Sequence, residues 1–113
     1  MSIFKAYDVR GLYPSELNEE KVEKIGRAFR RVLAQDDFPS GKEVVVSRDM
    51  RSHSEPLEEA LIRGLRSAGL DVVTIGLATT PMNYFAVGRH RTAGGVQVTA
   101  SHNPSEYNGL KFS

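Results

Sequence analysis

The sequence has no cysteine, which removes a disulfide framework and any thiolate metal site. It has no excess of charge of either sign. The formal net charge is +1, too small for the electrostatic footprint of a nucleic-acid or acidic-membrane surface. No apolar run approaches transmembrane length, and the opening MSIFKAYDVRG lacks the hydrophobic stretch of a secretory signal. A Walker loop and a GxGxxG fingerprint are both missing, which disfavours nucleotide binding through a standard glycine loop. His53, His90 and His102 stand without metal-ligand spacing. No internal repeat, low-complexity run or linker divides the chain. These absences lead us to expect a soluble, cytoplasmic protein with no nucleic-acid and no membrane partner.

What is there fits one globular domain: 113 residues, 40% hydrophobic and 26% charged, enough to bury a core without a disulfide or a structural metal. Asn18 is placed to cap a helix carrying Val22, Ile25, Ala28, Phe29, Val32 and Leu33 at helical spacing. EVVVS, LDVVTIG and GGVQVT read as strands, and LKFS begins a further segment. Ser54 is placed to cap a second helix with Leu57, Ala60, Leu61, Leu65 and Ala68 on one face, ended by Gly69. A third, shorter helix is expected from Thr80–Pro81, with Met82, Phe85 and Ala86 on one side. Gly94 and Gly95 let a strand pass close to its neighbours.

Alternating helices and strands imply an α/β domain, a three-layer arrangement with a mixed, mostly parallel sheet flanked by helices. Chemistry in such sheets collects beyond the carboxyl ends of the strands. That edge is expected to hold Ser47 to Arg51, Gly76 to Thr80 and Thr99 to Asn103. The chain stops on NGLKFS, a turn and the start of a strand, so residues 1–113 are expected to be a piece of a longer protein.

The stretch QVTASHNPSEYNG, Gln97 to Gly109, sets Ser101 beside His102 at a strand end, with Lys111 following. A serine hydroxyl needs a base or local positive charge to become a nucleophile. Lys111 offers a point charge of the kind that binds phosphate, and Asn103 could present donors to an anion. The same residue types also make an ordinary solvated turn, and taken alone they favour that reading. Asp8 and Arg10 read by default as a local ion pair, with an alternative in which Arg10 faces an anion and Tyr7 lines a pocket. In SRDMRSHS, Asp49 and Arg51 suit a supporting role at the strand end, and His53 is expected to be exposed.

Together FKAYDVRG at Phe4–Gly11, SRDMRSHS at Ser47–Ser54, GLATTPM at Gly76–Met82 and above all TASHNPSEYNGLK at Thr99–Lys111 resemble the α-D-phosphohexomutase family, in its phosphomannomutase/phosphoglucomutase branch. The resemblance implies a four-domain parent of which residues 1–113 are the first domain. It implies an enzyme that interconverts hexose 1-phosphate and hexose 6-phosphate through a phosphoserine and a bisphosphorylated sugar. The serine matching Ser101 carries the phosphoryl group and, through it, one bond to magnesium. The other magnesium ligands come from a DGDGDR-type loop that these residues do not contain. Positions matching His102 and Lys111 are candidates for proton transfer and charge stabilisation, with no ground to choose between them. Those matching Tyr7, Arg10 and Asn103 bind substrate, so the implied partners are a phosphorylated hexose and the remaining domains of the parent. Residues 1–113 alone are then expected to be inactive.

One departure stands out: His53 occupies a place where the family often has serine. Thr99 and the AYDVRG start look more like the mannose/glucose branch than like phosphoglucosamine mutase. Two other classes compete with a mutase. A receiver-type phosphoacceptor module would use Asp8, Asp49, Thr80 and Lys111, but Asp49 would follow the second strand where that fold needs its third. A non-catalytic binding domain would keep the fold, but Ser101, His102 and Lys111 argue against a decayed site.

Overall fold

The computed structural model describes residues 8–35, 43–78, 82–83, 86, 94–99 and 106–112. Asn18 opens the first helix as its spacing predicts: its Oδ1 accepts the Lys21 N–H at 3.0 Å, meeting one of the unpaired donors of the first turn. The elements run β1 (Asp8–Leu12), α1 (Glu19–Gln35), β2 (Glu43–Arg48), α2 (Ser54–Ser67), β3 (Asp71–Leu77), β4 (Gly94–Val98) and β5 (Tyr107–Phe112).

The five strands form one sheet in the order β1-β5-β4-β2-β3. β2 pairs in parallel with β3 and β4, whereas β5 is antiparallel to both β4 and β1. Four strands therefore point one way and β5 alone runs back, which makes the sheet mixed and mostly parallel in direction. A receiver-type module has a parallel order 2-1-3-4-5. The reversed β5 between β1 and β4 is incompatible with it.

Alternation along the strands sorts the two faces. Val44, Val46, Val96, Val98, Leu110 and Phe112 are buried in one core with Leu17, Val22 and Phe29 on the α1 side and Leu57, Leu61 and Leu65 on α2. The rings of Phe29 and Phe112 meet at 5.2 Å, which seats α1 over β5. The opposite face carries buried Val45, Ser47 and Gln97, with Asn83 and Ala86 buried as well. Asn83 Nδ2 donates to Ser47 Oγ at 2.8 Å and to the Val96 carbonyl at 3.3 Å. Ser47 Oγ in turn donates to Gln97 Oε1, and Gln97 Nε2 donates to the Ala78 carbonyl at 2.8 Å. Each buried polar group here has a partner, as burial demands.

Several local expectations change. Ala28 is exposed, and Gly26 takes the buried place in α1, because the two helices cross at Gly26 and Gly64 too closely for a side chain. A Cβ on Gly64 would stand 2.2 Å from the Glu23 carbonyl oxygen. Val32 and Leu33 fall where side chains are outside the described residues. Ser54 is not the cap of α2 but its first residue; its hydroxyl is taken by Asp49, and His53 sits at the cap position without a side-chain cap bond. Met82 is 53% exposed rather than packed, whereas Asn83 and Ala86 are buried. Phe85, Thr80 and Pro81 lie outside the described residues. Gly69 ends α2 as expected, with φ +86°. Between β2 and β3 the register steps from Val46–Thr74 to Ser47–Gly76, so Ile75 is an extra residue, and Gly76 at φ +68° supplies the conformation the bulge needs.

Candidate active site

The parallel strands β2, β3 and β4 end at one edge, and backbone bonds knit their exits together: Asp49 N–H to the Val98 carbonyl at 3.0 Å, and Ala78 N–H to the Arg48 carbonyl at 3.0 Å. The antiparallel β5 starts at the same edge, so β4 ends and β5 begins there.

Asp49 is the hub of that edge. Its Oδ1 accepts from Ser54 Oγ at 2.5 Å and from the Arg51 N–H at 3.1 Å. Its Oδ2 accepts from Arg51 Nε at 3.0 Å and from Thr99 Oγ1 at 2.7 Å. Burial pushes the Asp49 carboxyl upward, but the hydrogen bonds from Ser54, Thr99 and Arg51 outweigh it and hold the carboxyl below its ordinary value. The supporting role expected of Asp49 and Arg51 is what the geometry gives them. Arg51 also reaches the Tyr107 carbonyl through Nη1 at 3.1 Å.

His53 is half-buried, not exposed as expected. Its ring stacks on Tyr13 at 4.6 Å, and its Nδ1 accepts from Asn108 Nδ2 at 2.7 Å. The same amide donates to Ser54 Oγ at 2.9 Å, which links His53 and β5 to the Asp49 hub. Thr99, Ser54 and Asn108 went unread as site-building residues in the sequence. Only the strand-end position of Thr99 hinted at it.

A second charged pair lies one residue earlier. Arg48 Nη1 donates to Glu58 Oε1 at 3.1 Å, while Glu58 Oε2 is buried with no hydrogen-bond partner among the described residues. Burial raises the Glu58 carboxyl above its ordinary value, against the pull of Arg48. Around this edge, Met50 (87% exposed), Leu77 (59%) and Met82 line an apolar groove of about 390 Å³ with Ala78, Asp49 and Gln97.

On the sheet, Arg10 of β1 lies directly opposite Gly109 of β5, and Lys111 follows two residues on, on the same side. Gly109 is packed too tightly for a side chain. A Cβ there would stand 2.1 Å from the Val9 carbonyl oxygen, 3.1 Å from Arg10 Cγ and 3.1 Å from the Thr99 carbonyl oxygen. Arg10 Cγ thus lies against the backbone of β5 at Gly109, whose carbonyl accepts the Thr99 N–H at 2.9 Å. Arg10 is exposed and Lys111 half-buried. The structure therefore brings Arg10, Lys111 and Thr99 onto one face. Tyr7, Ser101, His102 and Asn103 lie outside the described residues, as does the side chain of Asp8. Among the described residues, no group of three or more His, Asp or Glu could hold a metal ion, and no helix is long and apolar enough to cross a membrane.

Residues 1–113 match the family model described as phosphoglucomutase/phosphomannomutase, alpha/beta/alpha domain I. The chain is 48% identical over 109 residues to the phosphohexose mutases of Xanthomonas campestris pv. campestris, covering 96% of this chain and 23% of that protein. It is 47% identical over 112 residues to a phosphomannomutase of Klebsiella pneumoniae, covering 99% of this chain and 68% of that sequence. A solved phosphoglucomutase/phosphomannomutase family protein from Burkholderia thailandensis has a TM-score of 0.84 at 42% identity, over 98% of this chain and 25% of that one. The chain spans 23% of the length of the first curated relatives it matches.

Proposed function

The chain belongs to the phosphoglucomutase/phosphomannomutase family, matching its α/β/α domain I, and on that ground we propose that it is the phosphoryl-carrying domain of a longer enzyme interconverting hexose 1-phosphates and hexose 6-phosphates. In this reading Ser101 Oγ holds a phosphoryl group. A hydroxyl of a hexose monophosphate attacks the phosphorus, and the Oγ–P bond breaks as the new O–P bond forms. The sugar hydroxyl gives its proton to Lys111 or His102, and the serine oxygen, as leaving group, regains one. The bisphosphorylated sugar turns over, and its other phosphate returns to Ser101 by the same exchange in reverse.

The observation that carries the reading is the placement of Arg10 and Lys111 on one sheet face beside Thr99, two residues before Ser101. Phosphoryl transfer asks for positioning and for cations around the moving group. Arg10 offers a planar fork for phosphate oxygens, and Lys111 a compact charge that also exchanges a proton. Tyr7 and Asn103 are assigned to substrate binding alongside Arg10. The phosphate on Ser101 would hold one side of a magnesium ion, which when bound would supply charge neutralisation on the transferring group. The described residues alone do not make its site, and the remaining ligands would come from the parent's other domains.

Lys111→Met in the full-length parent is expected to slow hexose phosphate interconversion by about 10²–10⁴-fold. A Lys111→Met enzyme with undiminished turnover would contradict the assignment. Residues 1–113 alone are expected to give no turnover.

A further inference from the structure

The segment carrying Ser101 is flanked by two stems, Thr99 on the side of β4 and Tyr107–Asn108 on the side of β5. Both stems are bonded to one carboxylate, directly or through a single intermediary. On the first, Thr99 Oγ1 donates to Asp49 Oδ2 at 2.7 Å, and the Asp49 N–H holds the Val98 carbonyl at 3.0 Å. On the second, Arg51 donates to the Tyr107 carbonyl at 3.1 Å while its Nε is held by Asp49 Oδ2 at 3.0 Å. Asn108 Nδ2 reaches Ser54 Oγ at 2.9 Å, and that hydroxyl donates to Asp49 Oδ1 at 2.5 Å.

We propose that Asp49 is the positioning residue for Ser101, fixing the separation and direction of the two stems that precede and follow it in the chain. The proposal rests on the reading of Ser101 as the phosphoryl carrier. Asp49 touches no reacting atom in this scheme; it acts through Thr99 on one side and through Arg51 and Ser54 on the other. An ionised carboxylate is the group suited to the task, because it is acceptor-only and four donors converge on its two oxygens. Bonds to an ionised acceptor are shorter and stronger than neutral ones, so each stem is held stiffly. Asparagine has the same shape but turns one oxygen into a donor, which then faces another donor. The anchor also lies on firm ground, since Asp49 directly follows β2, which is flanked by β3 and β4. Phosphoryl transfer depends mainly on how its reacting groups are positioned.

The test uses the full-length parent. Asp49→Asn is expected to lower kcat per folded molecule about 100-fold, with KM for the hexose phosphate within about threefold of wild type. Ser101→Ala, run beside it, is expected to abolish turnover. A purely structural Asp49 would lower the melting temperature but leave kcat per folded molecule unchanged well below the transition, and that result overturns the proposal. If Asp49→Asn does not fold, Thr99→Val decides: it removes one hydroxyl, and kcat is expected to fall about 10-fold at unchanged KM. An unchanged kcat in Thr99→Val overturns the proposal equally. Full turnover by Ser101→Ala overturns the reading beneath it instead, so the two failures are told apart.

Discussion

Gly109 on β5 lies directly beneath the side chain of Arg10 on β1, with Arg10 Cγ 3.1 Å from the place a glycine Cβ would occupy. The Val9 carbonyl oxygen stands only 2.1 Å from the same place, so β1 and β5 meet at a point where nothing larger than hydrogen fits.

Gly109→Ala must therefore part β1 from β5 and shift Arg10 together with the Thr99 stem. We expect a loss of about 3 kcal/mol, the upper end for overpacking, because the clash is with backbone. Urea denaturation measures it. A midpoint equal to wild type would mean that β1 is not held as described.

Gly64→Ala decides between two opposed effects. Alanine in place of a helical glycine ordinarily stabilises by about 1 kcal/mol. Here the new Cβ would meet the Glu23 carbonyl oxygen at 2.2 Å and the Arg27 nitrogen at 3.1 Å. Helix propensity cannot offset a backbone clash at the α1–α2 crossing, so thermal unfolding should show a lowered midpoint. A raised midpoint would mean the helices can separate at little cost.

Two carboxylates should impose opposite pH dependences. Asp49 is held below its ordinary 3.8, so its contribution is complete above that value and is lost as pH falls through the lowered folded-state value. Asp49→Asn should flatten the acid limb of the stability curve. Glu58 is raised above its ordinary 4.5, so its contribution is complete below that value and is lost as pH rises through the folded-state value. Glu58→Gln should match wild type in acid and become the more stable of the two toward neutral pH. Midpoints measured across that range check both signs, and parallel curves for either variant and wild type would contradict the corresponding assignment.

The helices were the most legible elements, because Val22 and Phe29 in α1 and Leu57, Leu61 and Leu65 in α2 repeat with helical spacing on one buried side. The β-branched runs of β2 and β3 announced strands for a similar reason. β1 did not, because DVRGL has a single β-branched residue and sits at the sheet edge, where pairing to β5 decides its form. The reversal of β5 was hidden as well, since YNGLKF carries no periodic signal before its Leu110. At the site, residue types at a strand end were enough to suggest support from Asp49 and Arg51. Their targets were not readable, because Thr99 lies 50 residues from Asp49 and Tyr107 lies 56 residues from Arg51. The exposed placement of His53 failed for the same cause: Tyr13 and Asn108 reach it from distant parts of the chain.

Whether Ser101 carries the phosphoryl group is tested by mapping the phosphate itself. The full-length parent would be exchanged with a radiolabelled hexose bisphosphate, digested in acid, and its labelled peptide identified. One acid-stable phosphate is expected, on Ser101, with neither label nor turnover in the Ser101→Ala enzyme. Label on another residue, or unimpaired turnover by Ser101→Ala, would contradict it.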